Sequence, residues 1–338
     1  MNTFAAAAGL GANLYPKAYM KKMLLRCIPA IDIILAPLVY PSAWLLKHVR
    51  RAGVHRLPHC KNALMKIGVF AIRDHNYEPQ FDHRRAKQSF SRDRSLPGID
   101  WNVAEQLKMA STFSFSTELA EIPYEKSDTL AFYLNNGAFE SGDAEYWYQL
   151  IRLIKPRRII EVGSGNSTLM AIKAIRKNSE QYPGYTCKHI CIEPYEMPWL
   201  EETGVSVVRK NIEDVDLQFF SELEENDILF IDSSHVIRPQ GDVLFEYLEL
   251  LPILQKGVIV HVHDIFSPKN YPRQWLEDEV RLWNEQYLLE GFMSHNNSWK
   301  IIGALNYLHH NHYEMLKSVA PFLTPEREPG SFYIRKIA

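Results

Sequence analysis

Cysteine is scarce in this chain, with four residues in 338: Cys27, Cys60, Cys187 and Cys191. Their irregular spacing argues against a disulfide-stapled fold and fits a reducing compartment. Cys187-x-x-x-Cys191 is likewise a poor zinc pattern. Neither sign of charge dominates. The 38 Lys and Arg against 40 Asp and Glu leave a net charge of −2, so nothing points to nucleic acid. There is no internal repeat. The P-loop signature G-K-[ST] is missing, and so is the third glycine of a G-x-G-x-x-G dinucleotide fingerprint, whose place holds Thr168. What remains is globular in composition, 46% hydrophobic and 23% charged, and long enough for one large domain with appendages or for two.

The most informative stretch is 158–168, RIIEVGSGNST. Ile159, Ile160, Glu161 and Val162 form an apolar, β-branched run that reads as a buried strand. Gly163, Ser164 and Gly165 follow at once, and Asn166, Ser167 and Thr168 open a helical pattern. A strand, a glycine turn and a helix N-terminus offer close backbone approach and free N–H groups to a nucleotide-like ligand. With an acid two residues before the first glycine, E-V-G-S-G-x-S-T resembles the first motif of the class I S-adenosylmethionine-dependent methyltransferases. The resemblance implies that Glu161, Gly163, Ser164, Gly165, Ser167 and Thr168 surround S-adenosylmethionine.

The rest of the C-terminal half alternates strands and helices. Strands are expected at 158–162, 189–193, 205–208, 227–232, 257–263 and 331–337. Helices are expected at 144–154, capped by Asp143, and at 167–178, 240–253 and 275–289. The pattern predicts an α/β, doubly wound, Rossmann-like sheet, mostly parallel with an antiparallel last strand, and ligands at the carboxyl ends of its strands. Glu193 ends the second strand, where an acid can accept from both ribose hydroxyls. Asn211 and Ile212 follow the third, where the resemblance places residues beside adenine.

The fourth strand runs into Asp232-Ser233-Ser234-His235 and the fifth into His261-Val262-His263-Asp264. In the usual strand order these ends are neighbours, about 5 Å apart in strand spacing. Two carboxylates that close repel unless a proton or cation sits between them, and a hard divalent ion such as Mg²⁺ is the economical answer. His235, three residues after Asp232, is placed to take a proton from an acceptor hydroxyl. The pattern is similar to metal-dependent small-molecule and sugar O-methyltransferases. It implies Asp232 and His235 as catalytic, and Asp232, Asp264 and His263 as metal ligands. Such relatives carry two acids where this chain has His263-Asp264, so His263 is left open as ligand, second base or packing residue. His261 reads as a core histidine. Tyr271, Trp275 and Trp283 either wall an acceptor pocket or belong to the core. The resemblance covers about 143–338 and implies a small-molecule or glycan hydroxyl acceptor. A nicotinamide-dependent oxidoreductase and a non-catalytic, membrane-associated scaffold remain as alternatives. The oligomeric state, homo-oligomer included, is left open.

Ahead of that region lie three segments. Residues 1–21 read as a flexible N-terminus, with no basic region before Ala5–Ala8 and hence no cleaved signal peptide expected. Residues 22–50 are apolar, but Asp32 and three prolines (Pro29, Pro37, Pro41) interrupt them. The uncharged part, 33–46, falls short of the ~20 residues of a spanning helix. Both flanks are basic, which predicts either a packed helical appendage or a monotopic contact at the cytoplasmic face of a membrane. Residues 51–142 read as a cap without a clear motif. The expected location is the cytoplasm.

Overall fold

In this computed structural model the described residues are 15–338 except Asp74, Asn76, Thr129 and Glu196, with side chains described from residue 28 onward. Most of the segment read as a flexible N-terminus, residues 1–14, lies outside them. The chain divides into two units, 1–85 and 86–338.

In the first unit, helix α1 (Tyr15–Ala52) runs unbroken through Pro29, Pro37 and Pro41. Each proline removes one N–H donor from the ladder, and the following residues resume it, so the expected interruption does not occur. Much of α1 is exposed and apolar, including Ile33, Ile34, Leu38, Val39 and Trp44. Helix α2 (Pro58–Ile67) ends on Gly68, whose left-handed φ of 76° suits a residue without a Cβ. Arg50 pairs with Glu78 at 2.9 Å and lies over the Phe70 ring.

The second unit holds a seven-stranded sheet in the order β3-β2-β1-β4-β5-β7-β6. Its strands are β1 (Arg158–Val162), β2 (Lys188–Ile192), β3 (Ser206–Val208), β4 (Ile228–Ile231), β5 (Ile259–Val262), β6 (Trp299–Ala304) and β7 (Phe332–Lys336). Strands β1 to β5 are parallel, and β7 runs antiparallel between β5 and β6. The predicted architecture is therefore observed. Helix α3 (Val103–Ser111), the short α4 (Ser116–Leu119) and α5 (Asp143–Ile154) precede β1, and α6 (Asn166–Gln181) follows it. One buried cluster, around Trp147, Ile159 and Phe230, fills one face of the sheet. A second, around Ile160, Leu229 and Ile231, fills the other. The alternation of β1 and β4 residues between the two clusters is the period-two rule at work.

Four expectations are corrected. Strand β6 was not foreseen, because its run is interrupted by Gly303 and a register shift between Ile301 and Gly303. The single helix expected over 275–289 is two, Arg273–Glu277 and Glu285–Met293. The helix expected over 240–253 begins as α-helix at Asp242–Phe245 and widens to a π turn at Glu246–Leu250. Asp143 is not the N-cap of α5. Gly142 holds that position, Glu145 accepts its N–H, and the Asp143 carboxylate accepts from the Gly330 and Ser331 N–H groups instead.

Candidate active site

Strand β1 ends in a turn whose geometry only glycine meets. Gly163 has φ 76°, and a Cβ there would stand 2.0 Å from the Asp232 carbonyl oxygen. Its N–H donates to the Ile192 carbonyl at the end of β2, and the Val162 carbonyl accepts from the Asp232 N–H after β4, so the turn is tied to both neighbouring strands. The Gly165 N–H donates to Thr168 Oγ1, which in turn donates to Glu161.

A cleft of about 530 Å³ opens over this turn at the carboxyl ends of the strands. Gly163, Ser164, Gly165, Ser167, Glu193, Asn211 and Ile212, all expected beside the cofactor, line it. Glu161 and Thr168 do not: both are wholly buried and bond to each other beneath the turn. Their work is to shape the loop from below. Residues not foreseen also line the cleft, among them Phe139, Tyr195, Met197 and Arg238. Phe139 follows the polar, glycine-bearing segment 135–137.

A second cavity of about 680 Å³ adjoins the first. Asp232 and Ala138 line both. Asp232, His235 and Asp264 converge at this boundary because β4 and β5 are paired neighbours. Their donor atoms lie within 4.8 Å of one another. His235 Nε2 is 3.3 Å from Asp232 and 3.7 Å from Asp264. His235 and Asp264 both adopt left-handed φ values of 60°, a strained backbone that a surrounding structure must hold in place. His263 stands beside this trio, its Nδ1 at 3.3 Å from Asp232 and 3.6 Å from Asp264, and its Nε2 facing Asp143 at 3.8 Å.

Glu285 was missed by the sequence reading. It is fully buried, its Oε2 lies 2.8 Å from His235 Nδ1, and its Oε1 accepts the Tyr247 hydroxyl at 2.9 Å. The break between the two helices puts it there: the Asn284 and Glu285 N–H groups both donate to the His235 carbonyl. The electrostatics follow from this crowding. Burial alone would push the Asp232 carboxyl up, but His263 and His235 hold it well below the usual carboxylate range. Burial would lower His235, yet Asp232 and Glu285 raise it well above an ordinary imidazole. Burial raises Asp264, only partly offset by His263.

His261 is a core histidine, as expected. Its ring stacks on Tyr333 at 4.1 Å and meets Phe230 edge-on at 4.5 Å, and burial keeps it neutral. Trp275 lines the second cavity, Trp283 packs 4.3 Å from the His235 ring, and Tyr271 is core.

Residues 160–265 match the family model described as a methyltransferase domain. This stretch is a methyltransferase domain. An uncharacterized protein of Archaeoglobus fulgidus is 33% identical to the chain over 141 residues, 40% of this chain and 62% of that protein. The chain thus spans less than two thirds of that relative's length. Among solved structures, the domain is similar to the O-methyltransferase TomG of Streptomyces achromogenes, in complex with SAM. That pair shares 14% identity and a TM-score of 0.35, covering 70% of this chain and 97% of that one. An O-methyltransferase of Bacillus cereus in complex with SAH gives 12% identity and a TM-score of 0.35 over 69% and 91% of the two chains. With TM-scores under 0.5, these likenesses say nothing of what the methyltransferase domain acts on.

Proposed function

We propose that the chain is an S-adenosylmethionine-dependent O-methyltransferase, assisted by a divalent cation, that acts on a hydroxyl of a small molecule, sugar or glycan intermediate. The observation that carries this reading is the position of Asp232, which lines both the cleft over the glycine turn and the cavity beside it. A donor and an acceptor held in those two spaces would meet at its carboxylate. Glu193 would accept from ribose hydroxyls, and the turn around Gly163 would let a ligand lie close to the backbone. Asn211 and Ile212 would flank the base. Bound there, S-adenosylmethionine supplies the methyl group.

Asp232, His235 and Asp264 present two carboxylates and an imidazole, a donor set suited to Mg²⁺ or Mn²⁺. His235 also has the arrangement common in metal-ligating histidines, its other ring nitrogen held by a carboxylate, here Glu285. A cation so held makes a nearby hydroxyl more acidic. In the neutral ring, with Nδ1–H donated to Glu285, His235 Nε2 has one lone pair, which serves either the cation or the substrate proton. Exhaustive chelation separates the two roles: activity that survives it makes His235 a base working alone.

The acceptor cavity carries seven carboxylates against two arginines. Both arginines are engaged, Arg281 with Glu279 and Arg327 with Glu140. These walls suit a hydroxyl-rich acceptor without negative charge. Calorimetry with S-adenosylmethionine, with and without Mg²⁺, tests the proposal. Heat with NAD and none with S-adenosylmethionine would instead favour the oxidoreductase reading, and cofactor binding without turnover on any acceptor the scaffold.

We propose further that residues 22–50 make a membrane contact at the cytoplasmic face, with a packed helical appendage as the alternative. Contrary to the expectation from the uncharged 33–46 alone, the whole of Ile28–Ala52 is long and apolar enough, by length and composition, to cross a membrane, with a mean hydropathy of 1.5 and its side chains unburied. Basic residues on both flanks favour anionic lipid. Full-length protein that stays monodisperse without detergent and ignores liposomes would refute this contact.

A further inference from the structure

Glu161 on β1 and Cys191 on β2 are register partners, and His189 lies two residues before Cys191. All three side chains therefore share one face of the sheet, under the first turn of α6. Their donor atoms lie within 4.8 Å of one another. Glu161 Oε1 is 3.5 Å from His189 Nε2, and Glu161 Oε2 is 3.8 Å from Cys191 Sγ. Glu161 and Cys191 are wholly buried and His189 is 7% exposed.

The polar atoms here are poorly served. His189 Nδ1 has no hydrogen-bond partner, and His189 Nε2 and Glu161 Oε1 have only their own 3.5 Å approach. Folded proteins leave few buried polar atoms in that state, and a group of them at one point calls for an ion or a water between them. The two separations from Glu161, 3.5 and 3.8 Å, are close to those around a bound ion. Bond lengths of about 2.0–2.3 Å in a tetrahedral zinc site put neighbouring donors about 3.3–3.6 Å apart.

We propose that Glu161, His189 and Cys191 form a second, buried metal site for a borderline-soft divalent ion, best matched by zinc, which braces the glycine turn from below. The sulfur and nitrogen donors separate it from the carboxylate-rich trio at Asp232, which suits a harder ion. Cys191 makes the difference chemically. Burial raises its thiol well above the ordinary range, so without an ion it stays protonated. Coordination forms the metal–sulfur bond and releases that proton, with no change of oxidation state. The link to the turn runs through Thr168 Oγ1, which donates to Glu161 and accepts from the Gly165 N–H. Enclosure on all sides implies that the ion enters as the chain folds.

The test is the metal content of full-length protein after dialysis against EDTA, by inductively coupled plasma mass spectrometry. Wild type and Asp264→Asn should each retain one zinc per chain, while Cys191→Val and His189→Gln retain none. Protein produced in cobalt medium supplies a readout that needs no variant at the site. A near-ultraviolet thiolate-to-cobalt band should persist in a Cys27→Ser, Cys60→Ser, Cys187→Ser background, where only Cys191 can give it. Zinc-free wild type, zinc equally retained by Cys191→Val, or cobalt protein without that band would overturn the proposal. Should the site variants fail to fold, the cobalt spectrum decides.

Discussion

Glu285 Oε2 lies 2.8 Å from His235 Nδ1, joining residues 50 apart in the chain. The same carboxylate holds the Tyr247 hydroxyl, so its removal strands two buried polar groups. Glu285→Ala should cost about 3–5 kcal/mol, the range for breaking a buried pair by deleting one partner. Glu285→Gln should cost about 1–3 kcal/mol, because one neutral hydrogen bond is kept. Urea denaturation measures both. Turnover should fall by about 10–100-fold with KM little changed, since Glu285 orients His235 without touching substrate. Equal stability of Glu285→Ala and wild type would contradict the contact.

Gly163→Ala places a methyl group 2.0 Å from the Asp232 carbonyl oxygen, at φ 76°. The backbone of β1 or β4 must move, so S-adenosylmethionine binding should weaken by more than about 10-fold, with a stability loss of about 2–4 kcal/mol. Gly184→Ala is the control. Its φ is 86°, but nothing lies within 4 Å of the added methyl, so only backbone strain of about 1–2 kcal/mol is expected. Titration calorimetry and chemical denaturation of the two variants separate clash from strain.

Asp264→Asn removes a charge from the trio while keeping its shape. Mn²⁺ affinity should fall by about 10–100-fold or more, and activity should fall with it. Calorimetry with Mn²⁺ checks the first, and methyl transfer with added cation the second. Unchanged Mn²⁺ affinity would remove Asp264 from the ligand set.

Glu118 gives a pH signature away from the site. Its carboxylate pairs with Arg152 at 2.8 Å, and Arg152 itself is 1% exposed. The side-chain bond from Arg152 outweighs burial and holds the Glu118 carboxyl below its usual range. A depressed folded pKa means that the stabilisation is present above the unfolded value of about 4.3 and is lost as pH falls. Glu118→Gln should therefore cost about 1–3 kcal/mol near neutral pH and progressively less under acid conditions. Guanidinium denaturation across that range measures it. A pH-independent difference would show that the pair contributes through shape alone.

Thiol reactivity should follow burial. Cys60 is exposed, whereas burial pushes the half-buried Cys187 thiol up to about 12. At mildly alkaline pH, iodoacetamide should label Cys60 long before Cys187, because only the thiolate reacts. Peptide mass spectrometry over a time course checks the order.

The strand–glycine–helix unit at 158–168 was legible in the sequence because its signals are local: a β-branched run, two glycines and a helix start. The resemblance to the class I methyltransferases then supplied the strand order that makes the fourth and fifth strand ends neighbours, and so brought Asp232, His235 and Asp264 to one place. The sequence by itself thus determined six of the seven strands and the acids at their carboxyl ends. It could not determine direction in depth. Glu161 looked like a ligand contact, yet tertiary packing turns it under the turn toward Thr168, His189 and Cys191. It could not find Glu285 either, since that residue reaches His235 only because the chain breaks its helix after Glu277 and restarts it at the site. Nor could it decide the course of 22–50, where proline chemistry argued for interruption and the remaining backbone bonds of α1 carry the helix through. Local pattern is a property of neighbours in the chain; which face is buried, and which distant side chain completes a hydrogen bond, is decided only when the elements pack.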